Sequence, residues 1–452
     1  MSDTSRINHA LQSPILPTFF RYWLPSLFGL LAMSTANIVD GLFIGNLVGG
    51  HALAALNLII PFFGLLFGLT FMLTMGGSVR AGKYLGEGDP QAASNIFSKT
   101  LMLVLLLALV VTVLGYLYQD WLLRALGGND ELLPLMRSYW RITLLFVWTQ
   151  LVTVVLYFFV RVDGFPNLAA GALALGALVN IVLDWLFIAH LGWGLAGAAW
   201  ATGISQALPM LVLLSYLFRA DKHLHFRWRQ RQWSELFRSA FNGLSEFVNE
   251  VSGSILALLL NWLFITRYGV EGVAAITVLN YLLVVGMMLV FSMADTCSVF
   301  VSQNYGARQQ RRIEQYLRTL AATALLVAGF CIAILLGFSE ILVLAFLPAE
   351  ETEIAALAVS LIWLIWPLFL VNGFTMIISA YLTALQLALQ SSSIALARAL
   401  VLPVLLLLLL YFLLPEWPFI IALPLAEVLS FIWALWLLGR YSPKRMLAQP
   451  QV

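Results

Sequence analysis

The chain has 452 residues, of which 62% are hydrophobic and only 10% are charged. Soluble globular domains carry about 25% charged residues, so this composition excludes a soluble domain and indicates an integral membrane protein. The formal net charge of +2 gives no reason to expect a nucleic acid as partner.

Long apolar stretches recur along the whole chain, and each can cross the bilayer core as a helix, which takes about 20 residues. They lack the polar–apolar alternation that a membrane-spanning barrel needs. The sequence therefore predicts an all-α integral membrane fold with twelve transmembrane helices, over residues 18–45, 53–77, 96–118, 138–160, 166–189, 194–218, 240–266, 272–303, 314–338, 354–383, 391–413 and 418–440.

The basic residues indicate how these spans are oriented. If both termini are cytoplasmic, all but four of the 24 Lys and Arg residues lie on the cytoplasmic side. The four exceptions are Arg124, Arg137, Arg141 and Arg267. This asymmetry satisfies the positive-inside rule and requires an even number of spans. We therefore expect a multi-pass protein of the bacterial inner membrane with both termini in the cytoplasm.

The second half of the chain repeats features of the first half. Gly49-Gly-His-Ala-Leu-Ala-Ala-Leu56 matches Gly269-Val-Glu-Gly-Val-Ala-Ala-Ile276. Tyr84-Leu-Gly86 matches Asn304-Tyr-Gly306 at the same spacing and without a gap. Because each half contains an even number of spans, the pattern predicts two pseudo-symmetric six-helix lobes, related as parallel repeats about an axis along the membrane normal.

These repeats give the predicted domain boundaries. Residues 1–218 form the first lobe, residues 239–452 form the second, and the strongly charged residues 219–238 form a cytoplasmic linker. Its Arg residues suit anionic headgroups and its Trp residues suit the membrane interface, so we interpret it as an inner-leaflet anchor rather than a nucleic-acid site.

Two carboxylates lie inside otherwise apolar spans, Asp40 in the first and Asp184 in the fifth. A charge at the bilayer centre costs roughly 2.5–3.5 kcal/mol on insertion scales, so such residues usually serve a function. Asn180 lies four residues before Asp184, on the same helix face, and Thr202 lies early in the sixth span. Hard oxygen ligands suit Na⁺ or a shared proton. The sequence therefore predicts ion or proton coupling at Asp40, Asn180, Asp184 and Thr202, although polar cross-linking of helices is an alternative for the two acids.

No other metal site is expected, because the chain lacks the His and Cys spacing typical of transition-metal sites. It also lacks a GxxxxGK[ST] phosphate loop, which excludes direct use of ATP by that motif. We expect no cofactor apart from the coupling ion, H⁺ or Na⁺, and the oxygen ligands do not decide between these two.

Several further polar, methionine and aromatic residues are candidates for a substrate cavity. Glu246 and Glu250 lie four residues apart. If they face such a cavity, they would attract cations; if they lie at the membrane interface, they are ordinary surface residues. Methionine and aromatic side chains suit adaptable binding of cations and apolar molecules. The candidate set is Met33, Asn37, Glu246, Glu250, Met287, Met288, Trp363 and Trp366. Asp295 and Glu427 are lone acids in the eighth and twelfth spans, and the sequence does not assign them a role.

Six segments carry a family resemblance through their order and spacing, namely Asn37–Gly45, Ala52–Leu56, Arg80–Asp89, Arg161–Asn167, Gly194–Thr202 and Ser302–Ala307. Together they resemble the multidrug and toxic compound extrusion (MATE) family over nearly the whole chain. Within that family the chain is similar to the DinF-like and MepA-like prokaryotic branch. The resemblance implies a cation site in the first lobe, formed by the acid of the first helix and the Asn and Asp of the fifth. It maps here onto Asp40, Asn180, Asp184 and Thr202.

The expected function is secondary active transport rather than enzymatic catalysis. We expect a cation-coupled antiporter that exports drug-like or organic cationic compounds, and a monomer in the bilayer. In this hypothesis, a bound proton or Na⁺ relieves repulsion between the two acids, and the first helix bends near Pro25, because proline removes a backbone hydrogen bond. Two alternative functions remain. One is a flippase of the same superfamily for a lipid-linked precursor, which would need a basic cavity. The other is an integral membrane enzyme, which would need a set of catalytic residues.

Overall fold

The computed structural model describes residues 7–228, 232–346 and 351–448. Residues 229–231 of the predicted linker lie outside this range. The described residues are helical and contain no strand. Within these ranges, twelve helices are long and apolar enough to cross a membrane, which confirms the predicted fold class. A helix satisfies its backbone hydrogen bonds internally, as a segment inside a bilayer must.

Six of these helices lie in the first half of the chain, and we number them in chain order. They are α1 (Ile15–Val48), α2 (Gly50–Glu87), α3 (Pro90–Leu117), α4 (Leu133–Val162), α5 (Pro166–His190) and α6 (Gly194–Phe218). The last turns of α1 and α5 are π-helical, over Ile44–Val48 and Trp185–His190. Shorter helices cover Ile7–Gln12, Gln119–Ala125 and Ser234–Asn242.

The other six helices lie in the second half. They are α7 (Leu244–Gly269), α8 (Glu271–Gly306), α9 (Gln310–Gly337), α10 (Pro367–Ala384), α11 (Ala388–Leu413) and α12 (Phe419–Ala448). Gly269 joins α7 to α8 with a φ of 65°, a left-handed conformation that glycine adopts without steric cost. A π-helical turn at Ala397–Val401 interrupts α11. Shorter helices cover Ser339–Leu344 and Thr352–Ile365.

One predicted span differs in the structure. The apolar stretch 354–383 forms two helices, Thr352–Ile365 and α10, with Trp366 between them. Pro367 has no backbone N–H and begins α10 at its first turn, where the missing donor carries no penalty. The proline therefore explains the break that the hydropathy of the stretch does not reveal.

The chain divides into two compact units, residues 1–243 and 244–452. In the first unit, α4 is the most buried span and packs against α2, α3 and α6. The α5 helix packs against both α1 and α6. In the second unit α10 is the most buried span, and it packs against α7–α8, α9 and α12. The fourth helix of each six-helix half is thus its central element.

The segment after α6 packs onto the first unit. Its helix Ser234–Asn242 lies against α2 at a very close approach. A Cβ atom added at Gly76 would lie 1.9 Å from the backbone oxygen of Ser239, and one at Gly243 would lie 2.0 Å from that of Met72. Only glycine at these two positions allows the two backbones to pack so closely.

Candidate functional site

The packing of α1 on α5 brings the two predicted acids together. Asp40 lies on the last α-helical turn of α1, and Asp184 is the last residue of α5 before its π-helical turn. The two carboxylates are close enough for their charges to interact. The structure therefore places one carboxylate from each of two adjacent helices within electrostatic range of the other.

The acids are buried without hydrogen-bond partners. Asp184 has an exposed fraction of 0%, and neither of its carboxylate oxygens has a partner among the described residues. Asp40 is half-buried, and its Oδ1 is likewise buried without a described partner. An unpaired buried carboxylate is costly unless a proton or a cation neutralises it. These three oxygens are therefore the chemically unsatisfied feature of the site.

The other two predicted ligands, Asn180 and Thr202, do not bond to Asp184. Asn180 is buried one turn earlier on α5, as its spacing from Asp184 requires. Thr202 is half-buried on α6, and its backbone carbonyl accepts a hydrogen bond from Ser205 Oγ at 2.9 Å. Because Asp184 has no described hydrogen-bond partner, neither side chain satisfies its carboxylate in this structure.

Tyr139 of α4 is a neighbour of both acids that the sequence analysis missed. Its side chain is buried and lies within electrostatic range of Asp40 and Asp184. In the sequence it stands beside Trp140 and near Arg137 and Arg141, a setting typical of an interfacial aromatic residue. Only the packing of α4 in the centre of the unit reveals its position.

The candidate residues for a cavity and a hinge occupy varied environments in the first unit. Pro25 lies inside the α-helical part of α1, as expected. Met33 is half-buried, whereas Asn37 is exposed although it lies only one turn before Asp40. Asn37 and Asp40 therefore differ in burial despite their helical spacing.

In the second unit, Trp363 is exposed and Trp366, Met287 and Met288 are half-buried. Glu246 is half-buried and Glu250 is exposed near the start of α7, and their charges interact. For each of these six residues, a role in a substrate cavity remains a prediction.

Glu427 is not the lone acid that the sequence suggested. It is buried on α12, and its charge interacts with that of Arg398 on α11. Thr375 and Asn372 of α10 also lie beside its carboxylate. The sequence hides this arrangement because the three helices are separated by loops and meet only in the folded second unit.

Comparison with known proteins agrees with this architecture. The MatE family model matches residues 25–186 and 250–409, one match in each half. The probable multidrug resistance protein YoeA of Bacillus subtilis is 26% identical over 398 residues, covering 84% of this chain and 85% of YoeA. The multidrug export protein MepA of Staphylococcus haemolyticus is 23% identical over 378 residues, covering 82% of each chain.

A solved structure shares the complete fold. The crystal structure of MATE in complex with MaL6 superposes with a TM-score of 0.92, at 24% identity, over 99% of this chain and 100% of that one. The similarity of both halves and of the whole fold leaves no part of the twelve-helix architecture unmatched.

Proposed function

Because the chain belongs to the MatE family, we propose that it is a cation-coupled antiporter that exports organic cations from the bacterial cytoplasm. Its relatives are named as multidrug resistance and export proteins, which are transporters and not enzymes. We propose that both termini are cytoplasmic and that H⁺ or Na⁺ enters as the cargo leaves. Such a transporter needs no cofactor besides the coupling ion.

The buried acid pair carries this proposal. Three carboxylate oxygens of Asp40 and Asp184 lack described partners, and two negative charges here would repel each other if both acids were ionised. A proton or a Na⁺ ion bound between them would remove the repulsion and satisfy the oxygens. The amide of Asn180 and the hydroxyl of Thr202 would complete a set of hard oxygen ligands for Na⁺.

Coupling then requires that the ion and the cargo favour different states of the protein. A helix that carries both an ion-binding acid and a proline can provide this link, because the proline leaves one backbone carbonyl without its helical partner. In α1 these residues are Asp40 and Pro25. We propose that ion binding at Asp40 favours bending of α1 at Pro25 and expels the cargo. Cargo binding opposes ion binding by the same free energy, because the coupling is reciprocal.

Transport in proteoliposomes tests the proposal. Ethidium efflux is measured with an imposed pH gradient and, separately, with an imposed Na⁺ gradient, and one of the two should drive it. Asp40→Asn should abolish the gradient-driven component, while the protein elutes as a single folded species. Asp130→Asn is a matched control, because Asp130 is an exposed partner of Arg124 outside the spans. Normal pumping by Asp40→Asn would refute the coupling scheme.

A further inference from the structure

A second polar cluster lies within the second unit and is not part of the proposed coupling site. Five of its members come from α7, α11 and α12, namely Glu246, Asn249, Glu250, Arg398 and Glu427, and Asn372 of α10 lies beside Glu427. Ionisable residues inside membrane spans almost always face a protein interior or a water-filled cavity. The cluster therefore marks a polar interior within this six-helix unit.

Burial increases through the cluster. Glu250 is exposed, Glu246 and Arg398 are half-buried, and Glu427 has an exposed fraction of only 4%. The cluster thus has an exposed end at the start of α7 and a buried end at α12.

The guanidinium of Arg398 has unused hydrogen-bonding capacity. It donates one hydrogen bond, from Nη2 to Asn249 Oδ1 at 3.2 Å, and makes no ion pair with any described residue. Arginine carries five N–H donors in a planar fork that matches a carboxylate. Its charge interacts with those of Glu246 and Glu427 without a direct contact to either.

The buried end of the cluster has an unused acceptor. Glu427 Oε1 is buried and lacks a hydrogen-bond partner among the described residues. A buried acceptor without a partner costs free energy, which a bound ammonium group would recover. The cluster therefore contains both an anion-binding guanidinium and an unsatisfied carboxylate oxygen that could bind a cation.

We propose that this cluster binds a zwitterionic cargo group, with a carboxylate on Arg398 and a cationic nitrogen on the buried carboxylate of Glu427. This proposal deepens the proposed function, on which it rests, by naming a substrate class. Arg398 is the residue that determines specificity, because it distinguishes a zwitterion from a simple cation of the same size. A simple cation gains from the acids alone and is repelled by the guanidinium.

Binding to the full-length protein in nanodiscs, without any ion gradient, tests the proposal. The probes are norfloxacin, a zwitterion near neutral pH, and its methyl ester, which keeps the cationic ring nitrogen but lacks the carboxylate. The wild-type protein should bind norfloxacin more tightly than the ester. Arg398→Gln should reduce this preference about tenfold, as expected for the loss of a charge-assisted hydrogen-bond pair.

Three further variants make the result interpretable. Arg398→Lys keeps the charge but not the fork, and should leave an intermediate preference. Glu427→Gln should weaken both probes without changing the preference, because both carry the cationic nitrogen. Arg440→Gln, an exposed arginine stacked on Trp436 of the same unit, is the matched control and should leave both affinities unchanged.

Two outcomes would overturn the proposal. One is equal affinity of the wild-type protein for the two probes. The other is a loss in Arg398→Gln that affects both probes equally, which would make Arg398 only a structural counter-ion of the acids. A protein that pumps ethidium but does not discriminate the probes refutes this site and keeps the antiport mechanism. A protein that discriminates between the probes but does not pump ethidium would support this site and refute the antiport mechanism.

Discussion

His223 and Asp163 are joined by two hydrogen-bonding contacts on the first unit. The backbone N–H of His223 donates to Asp163 Oδ2 at 2.8 Å, and His223 Nδ1 lies 2.9 Å from Asp163 Oδ1. The hydroxyl of Tyr216 donates to the same carboxylate. Asp163 is fully buried at the end of α4. These hydrogen bonds therefore hold the segment after α6 against the helices of the unit.

Asp163→Ala should therefore destabilise the protein. The substitution removes the acceptor for one backbone donor and two side-chain donors, and each buried donor left unsatisfied costs about 1–3 kcal/mol. We expect a clear fall in the apparent melting temperature in detergent, measured by fluorescence-detected gel filtration. Asp120→Ala removes only an exposed partner of Arg137 and should change the melting temperature little. Equal melting temperatures for the two variants would contradict this account.

Gly76→Ala should separate helix Ser234–Asn242 from α2. The new Cβ atom would overlap a backbone oxygen at 1.9 Å, and backbone cannot move aside as a flexible side chain can. We expect a lower melting temperature and faster proteolysis after the α6 helix. Gly171→Ala is the control, because nothing lies within 4 Å of a Cβ atom there, and it should be neutral or slightly stabilising. A neutral Gly76→Ala would show that the two backbones are not in this close contact.

Tyr139→Phe should impair ion coupling while leaving the fold intact. The substitution removes a hydroxyl beside Asp40 and Asp184 but keeps the ring that packs in the core of the first unit. We expect slower gradient-driven ethidium efflux and an unchanged melting temperature. Tyr118→Phe, at an exposed tyrosine between α3 and α4, should transport at the wild-type rate. Wild-type transport by Tyr139→Phe would exclude this hydroxyl from the coupling site.

Asp40→Asn and Asp184→Asn should not have additive effects. If the two acids hold one ion between them, removing either abolishes coupled transport, and removing both costs nothing more. The test is gradient-driven efflux by the two single variants and the double variant, normalised to reconstituted protein. A double variant that is much slower than either single variant would indicate two independent sites.

Much of the fold follows directly from the sequence. Twelve apolar stretches predict twelve helices, because a bilayer admits few alternatives to a helix for an apolar segment of this length. The break at Trp366 escaped prediction because hydropathy does not register a missing backbone donor at Pro367. The helix Ser234–Asn242 escaped because it is polar and short, and its position depends on glycine contacts far away in the chain.

The candidate site was predictable only in part. Helical spacing alone places Asn180 and Asp184 on one face of α5. The approach of Asp40 to Asp184 depends on the packing of α1 against α5. The sequence indicates this packing only by the presence of a second acid within an apolar span. The position of Tyr139 and the charge interaction of Glu427 with Arg398 depend on tertiary contacts between helices that no local pattern encodes.

The attachment of residues 219–228 and 232–243 to the first unit has a practical consequence for dividing the protein. Residues in this segment cover Asp163 and provide Glu235 and a backbone carbonyl for the buried Lys99. A fragment truncated at Phe218 would leave that lysine and that aspartate without these partners. A fragment that ends at Gly243 retains them, so a split transporter for co-expression is best cut there.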